Sequence, residues 1–340
     1  MKAAVLYAPY KILIKTVEPP VIKNDEVLVK VEATGVCGSD LHAFRGKHPF
    51  VKLPRILGHE VSGEVAEVGK DVKEVSVGDR VVVEPVIPCG SYIACITGRY
   101  NVCKSLKVLG IHVDGAFAEY LKAPSNRIYK IPNNLSFDDA TLIEPYAVAT
   151  HIVKRSGVRV GDRVAVLGAG PIGLCTLQVA KLAGAKSVVI TDIVDYRLQL
   201  AKKLGADVII NSSKEDPVRI IKDVTNGEGV DVAIEAVGVP QTVQQALKIT
   251  RPFGEVTIVG FFEDPHVEVD VLSVIAKELH VLGSRLYWLD FETAIDLVSR
   301  GKVDVKTIIT HKFSLDEAQK AFEIYDQKTQ NAVKVILKPP

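Results

Sequence analysis

Three short segments of the chain carry side chains able to hold a metal and move a proton. They are Gly35-Val36-Cys37-Gly38-Ser39-Asp40-Leu41-His42, then Gly58-His59-Glu60, then Glu144-Pro145. A thiol, an imidazole and a carboxylate together suit a zinc ion that keeps one coordination position open for a substrate. Cys37 and His59 stand 22 residues apart, so the fold rather than a local turn must bring them together. A second chemistry is written in Val164-Ala165-Val166-Leu167-Gly168-Ala169-Gly170-Pro171-Ile172-Gly173, where G-x-G-x-x-G follows an apolar strand and opens a helix. Gly168 permits a tight turn, Gly170 lets the backbone approach a pyrophosphate, and Gly173 lets helix and strand pack closely. The free N–H groups and positive dipole end of that helix then hold the phosphates. Asp192 ends the next strand, 19 residues after Gly173. A carboxylate there accepts hydrogen bonds from ribose hydroxyls and repels a 2′-phosphate, which favours NAD over NADP. Arg197, about one helical turn further on, is placed to cover the adenine. A third group, Cys89, Cys95 and Cys103, lies within one short segment and in a reducing compartment reads first as a metal site.

The elements that must position these groups follow from the hydrophobic pattern. Up to about Pro145 the chain is rich in Val and Gly and broken by turns, with short strands expected at Glu26 to Glu32, Glu64 to Val68 and Arg80 to Val83. This half reads as an all-β barrel or sandwich. After about His151 strands and helices alternate. Strands are expected at Arg163 to Leu167, Val188 to Asp192, Asp207 to Asn211, Asp231 to Ala236, Glu255 to Gly260 and Leu279 to Ser284, with helices at Ile172 to Ala183, Tyr196 to Leu204, Pro217 to Thr225 and Gln241 to Ile249. Such alternation implies a parallel, doubly wound sheet. Cys175 falls on the apolar face of its helix and reads as core. The last section, with helices at Phe291 to Arg300 and Leu315 to Tyr325 and a strand at Ala332 to Leu337, is too short for a domain and returns to complete the first one. The expected organisation is therefore α/β in three spans: 1–150, 151–288 and the return segment 289–340.

Composition narrows the partners. In 340 residues, 42 Lys+Arg oppose 41 Asp+Glu for a net charge of +1, which offers nothing to nucleic acid or an anionic membrane. No stretch of about 18 apolar residues is present and the N-terminus lacks the pattern of a signal peptide. A cytoplasmic enzyme acting on small molecules is the expectation.

Cys37-Gly38-Ser39-Asp40-x-His42, Gly58-His59-Glu60, Asp114-Gly115-Ala116-Phe117-Ala118-Glu119-Tyr120, Glu144-Pro145 and the G-x-G-x-x-G run stand in an order and spacing that resembles the zinc-dependent medium-chain alcohol and polyol dehydrogenases, over essentially the whole chain. The resemblance implies a GroES-like, β-rich catalytic domain and a Rossmann domain. It makes Cys37, His59 and Glu60 ligands of a catalytic zinc, with Glu60 exchanging with water and Glu144 approaching the metal directly or through water. Asp40 would fix the tautomer of His59, Ser39 would hold the substrate's hydroxyl proton, and His42 would pass it towards solvent. An alcohol gives up a hydride readily only as its alkoxide, and with a pKa of about 16 in water it needs the several units by which zinc lowers it. Phe117 and Arg285 are implied as substrate contacts, and Val237, Val259 and Gly260 join Gly168, Gly170, Pro171, Ile172, Gly173, Asp192 and Arg197 at the NAD.

In the same family a four-cysteine lobe spaced C-x2-C-x2-C-x7-C binds a structural zinc. Here that frame lands on Cys89, Tyr92, Cys95 and Cys103, one thiolate short of a closed site. Two outcomes stay open: a zinc completed by water or a nearby oxygen, or a metal-free lobe held by packing or partly oxidised. The segments 46–50, 108–115 and 283–286 look most like the sugar-acid and starvation-sensing branch near sorbitol and threonine dehydrogenases, with Arg285 pairing a substrate carboxylate. L-threonine 3-dehydrogenase is the nearest alternative. A zinc-free NADPH reductase of the quinone type and a non-catalytic NAD-binding regulator are the readings of another class. Val256 to Val259 with Val267 to Val274 are expected to form a paired sheet edge, and the resemblance implies a homodimer or homotetramer.

Overall fold

Valine at alternate positions makes Glu26–Val36 the central strand of the N-terminal half: Val27, Val29, Val31 and Ala33 are buried while Lys30 between them is exposed. The computed structural model describes all 340 residues and divides into two units, Met1–Pro145 with Phe291–Pro340, and Tyr146–Asp290. The divisions fall after Pro145 and Asp290, not at 150 and 288. The helix Ile143–Arg155, which hydrophobic patterning did not reveal, runs across the first of them.

In the first unit a seven-stranded sheet runs Ile128–Lys130, Arg80–Val83, Glu60–Val68, Glu26–Val36, Lys334–Lys338, Ile309–Ser314, with Tyr120–Pro124 also paired to Glu26–Val36. The C-terminal segment thus supplies two strands. Ile309–Ser314, whose burial is only partial along its length, carried no strand signal in the sequence. Register fixes which side chains meet across the central strand: Gly35 lies opposite Glu60 on one edge and opposite Ile336 on the other. The N-terminal strands Lys2–Ala8 and Lys11–Thr16 form a separate antiparallel sheet with Arg55–Ile56. Phe44, Phe117 and Phe322 join their rings at centroid distances of 5.2 and 5.7 Å in one core, and a layer of valines forms another.

The second unit is a six-stranded sheet in the order Val208–Asn211, Ser187–Asp192, Arg163–Leu167, Val230–Glu235, Thr250–Ile258, His280–Gly283, with every pair parallel. This is the doubly wound order that places ligands outside the C-terminal ends of the strands. One expectation fails. Val267 to Val274 is not a sheet edge, because Asp270 accepts from the Ser273 backbone at 3.0 Å and caps a helix, Val271–Ala276. Val256 lies inside the sheet, and His280–Gly283 forms the edge. No helix is long and apolar enough to cross a membrane.

Candidate active site

The antiparallel register of Gly35 with Glu60 draws together residues on either side of it. Cys37, two residues past Gly35, and His59, one before Glu60, leave their strands at the same end. The thiol, imidazole and carboxylate donor atoms of Cys37, His59 and Glu60 all lie within 4.8 Å of one another. His59 and Glu60 are buried, with 6% and 1% exposure, and Cys37 is half-buried. His59 Nδ1 is buried without a hydrogen bond. A soft thiol, an imidazole and a carboxylate converging on one point are the donors of a zinc site that leaves a position open, so the residues present fit the ion.

Around these donors the helix Gly38–Phe44 starts at Cys37. Asp40, fully buried in its first turn, accepts from the Cys37 N–H at 2.9 Å, and its other oxygen lies 3.4 Å from the Gly58 nitrogen and 3.5 Å from His59 Nδ1. Burial pushes the Asp40 carboxyl up, opposed by His59 and by the Cys37 and Gly58 N–H groups. Burial also works against charge on His59, but Asp40, Cys37 and Glu144 outweigh it and hold the imidazole well above its ordinary range. Ser39 Oγ stands 3.4 Å from His59 Nε2. His42, half-buried, is three residues beyond Ser39 and so on the same helical face. Glu144 is 5% exposed in the first turn of Ile143–Arg155 and bears electrostatically on His59, but stands outside the compact three-donor group.

Sequence reasoning missed Lys334. It is 1% exposed, pairs with the Glu60 carboxylate and donates to the Val36 carbonyl at 3.3 Å. Burial disfavours its charge, yet Glu60 and Cys37 hold its pKa above the ordinary lysine value. Gly35 leaves the space the carboxylate fills, since any Cβ there would run into Glu60 Oε2. The available signal was weak, since the strand Lys334–Lys338 carries a lysine at each end of an apolar run and only the second is exposed.

Phe117 requires a correction. Its ring is 1% exposed and packs edge-on to Phe322 and against the Gly58 turn, which tolerates no Cβ there. Phe117 thus supports the loop before His59 instead of contacting substrate. Beside the site, His48 is pushed down to about 4, chiefly by burial and then by His42, His59 and His112.

The cysteine lobe assembles three thiols: Cys103 Sγ is 3.4 Å and Cys95 Sγ 3.9 Å from Cys89 Sγ. Tyr92 starts the short helix Ile93–Ile96 and its ring lies under Lys104 Nζ at 5.2 Å, so it presents a face to a cation. The lobe is tied down independently of these thiols: Tyr100 donates to buried Glu84 at 2.9 Å, which also receives Arg127 at 2.7 Å. Cys175 is fully buried in its helix.

In the second unit Gly168 adopts φ +107° and Gly173 has no room for a Cβ against the Gly168 carbonyl, whereas the space beside Gly170 is open. Gly170 starts the helix Pro171–Leu182 with no side-chain cap, leaving its N–H groups for an anion. Asp192 accepts from the Ala169 N–H at 2.8 Å and the Val194 N–H at 3.0 Å, and lies 3.9 Å from Arg197 Nη1. The carboxylate therefore holds the glycine turn, with a cation beside it. Val237 is exposed and Val259 and Gly260 half-buried at the ends of the next two strands. Arg285 is exposed in the loop after the edge strand.

Comparison with known proteins gives the same two parts. Residues 23–133 match the alcohol dehydrogenase GroES-like domain and residues 171–300 the zinc-binding dehydrogenase domain. The chain is 40% identical to sorbitol dehydrogenase of Bacillus subtilis over 343 residues, covering 100% of this chain and 97% of that one. It is 41% identical to L-threonine 3-dehydrogenase of Pyrococcus furiosus over 306 residues, 88% and 87% of the two chains. A Sinorhizobium meliloti structure described as a zinc-binding dehydrogenase bound to NADP superposes with a TM-score of 0.94 at 37% identity, covering 99% of each chain.

Proposed function

The chain belongs to the zinc-type medium-chain alcohol dehydrogenases, and from that premise we propose that it oxidises a secondary alcohol of a polyol or sugar acid, with NAD preferred as hydride acceptor. The observation that carries this reading is the convergence of Cys37, His59 and Glu60 beside a serine and histidine on one helical face. Zinc held there supplies Lewis acidity that brings an alcohol's pKa within reach of a protein base, and a nicotinamide cofactor supplies the hydride acceptor. Ser39 takes the hydroxyl proton and His42 carries it towards solvent. Asp40 holds the His59 ring, and Lys334 with Gly35 holds Glu60 where its carboxylate can serve Lys334 or the metal. NAD over NADP rests on Asp192, whose negative charge disfavours a 2′-phosphate, against the opposing charge of Arg197.

L-Threonine is the second reading, favoured by the Pyrococcus relative. For a sugar acid or for L-threonine, Arg285 is the proposed partner of the substrate carboxylate. A homodimer or homotetramer is proposed as well, supported by the exposed Val271, Leu272, Ile275 and Val281 around the edge strand.

Oxidation of polyols, sugar acids and L-threonine with NAD and NADP, measured alongside zinc content, tests the whole reading. Cys37→Ser is expected to lose oxidation of every substrate and one zinc per chain while still binding NADH. Turnover retained in that variant removes the catalytic zinc.

A further inference from the structure

The cysteine lobe of the first unit takes no part in the chemistry described above. Its base is closed by the pairing of Val86 with Val108 and of Ile87 with Lys107, and Tyr100 and Arg127 anchor it on buried Glu84. Cys89 leaves that base two residues after Ile87, and Cys103 returns to it four residues before Lys107. Contacts that involve neither thiol therefore hold the two together: Cys103 Sγ donates to Cys89 Sγ at 3.4 Å, and Cys95 Sγ stands 3.9 Å from Cys89 Sγ.

These residues do not fit a structural zinc. Such a site closes with four protein ligands, and the compact group here holds three thiols and no further cysteine, histidine or carboxylate. Tyr92, at the position of the missing thiol, turns its ring face to Lys104 Nζ at 5.2 Å. What the three thiols offer instead is a pair of electrons. They differ in access: Cys89 is exposed, Cys95 is half-buried and Cys103 is 2% exposed. The Ser91 hydroxyl donates to Cys89 Sγ at 3.7 Å, a contact that favours the thiolate. A thiol that meets solvent first, touching a second thiol shielded behind it, is arranged for reversible oxidation.

We propose that the lobe is a thiol-oxidation site, in which Cys89 reduces a hydroperoxide and Cys103 closes a disulfide with it. The Cys89 sulfur attacks one peroxide oxygen, the O–O bond breaks, and the other oxygen leaves as water or an alcohol. The Cys103 sulfur then attacks the sulfenic sulfur of Cys89 and expels the second oxygen as water. Two thiols give up two electrons and two protons, and one hydroperoxide is reduced. Because the lobe's base is already paired, the bond forms without moving the segments that hold Cys37 and His59.

The test treats the full-length, zinc-loaded protein, dialysed free of excess metal, with hydrogen peroxide. The product is alkylated, digested without reduction and mapped by mass spectrometry. Before treatment the wild type should carry a single zinc per chain, and Cys89→Ser should carry the same. After it, the five thiols per chain should fall by two, the peptides of Cys89 and Cys103 should appear joined, and dithiothreitol should restore all five with the zinc still bound. Cys89→Ser should form no disulfide under the same exposure, whereas Cys95→Ser should still join Cys89 to Cys103. A second zinc in the wild type that Cys89→Ser loses overturns the proposal. So does a disulfide that uses Cys95, or a lobe that stays reduced while Cys37 is oxidised.

Discussion

Replacing Lys334 by Met tests whether a buried countercharge governs the metal-binding carboxylate. Lys334 and Glu60 are each 1% exposed and paired with one another. Removing one partner of a buried ion pair leaves the other without compensation, which costs about 3–5 kcal/mol. In a folding unit the size of the one that holds both residues, Met1–Pro145 with Phe291–Pro340, each kcal/mol moves the melting temperature by about 2–4 °C. The metal-free Lys334→Met protein should therefore melt about 6–20 °C below the metal-free wild type. Zinc changes the balance, because the carboxylate released from Lys334 can turn to the ion. Loading with zinc should recover much of the loss, and competition with a chromophoric chelator should show zinc bound at least as tightly as in the wild type. Lys334→Met/Glu60→Gln removes both charges and should melt well above the single variant without metal. A single variant within about 1 °C of wild type, or a double variant no more stable than the single, refutes the reasoning. Glu60 would then be stabilised by something other than Lys334.

Asp40→Asn keeps the shape of the group beside His59 but removes its charge, and should weaken zinc binding about 10- to 100-fold, read by chelator competition. His48, held near 4 chiefly by burial, stays neutral in the folded chain while the unfolded chain takes up its proton below about 6.5. Protons thus favour unfolding as pH falls from 6.5 towards 4. His48→Gln should flatten that part of the stability profile, and melting curves at pH 6.5 and 4.5 for both proteins check it. Gly173→Val places side-chain atoms against the Gly168 carbonyl and should abolish NADH binding while leaving the zinc at Cys37 in place, measured by titration and metal analysis.

The central strands of the second unit, Ser187–Asp192, Arg163–Leu167 and Val230–Glu235, were legible because each is a buried apolar run between turns, and burial on both faces leaves little else for such a run to become. Val267 to Val274 was misread because its apolar residues suit a strand as well as a helix. A single side-chain cap, Asp270 on Ser273, tips a six-residue segment into a helix. Phe117 was placed at the substrate from its motif, yet motif spacing says nothing about the direction of a ring, and packing against Phe322 turns it inward. Lys334 escaped notice because a lysine in a strand reads as solvent-facing. Its burial arises from pairing with a strand 298 residues away.

Local chemistry was therefore readable along the chain. The glycine turn needs a positive φ at Gly168, and the ligand-type residues Cys37, His59 and Glu60 are distinctive in kind. These are properties of neighbouring residues, fixed by bond geometry and side-chain chemistry. Convergence is another matter. That Glu60 faces Gly35 and that Lys334 lies behind them both depend on strand register. A slip of one residue would turn every one of those side chains to the opposite face, and register is set by the summed burial of whole strands rather than by any motif.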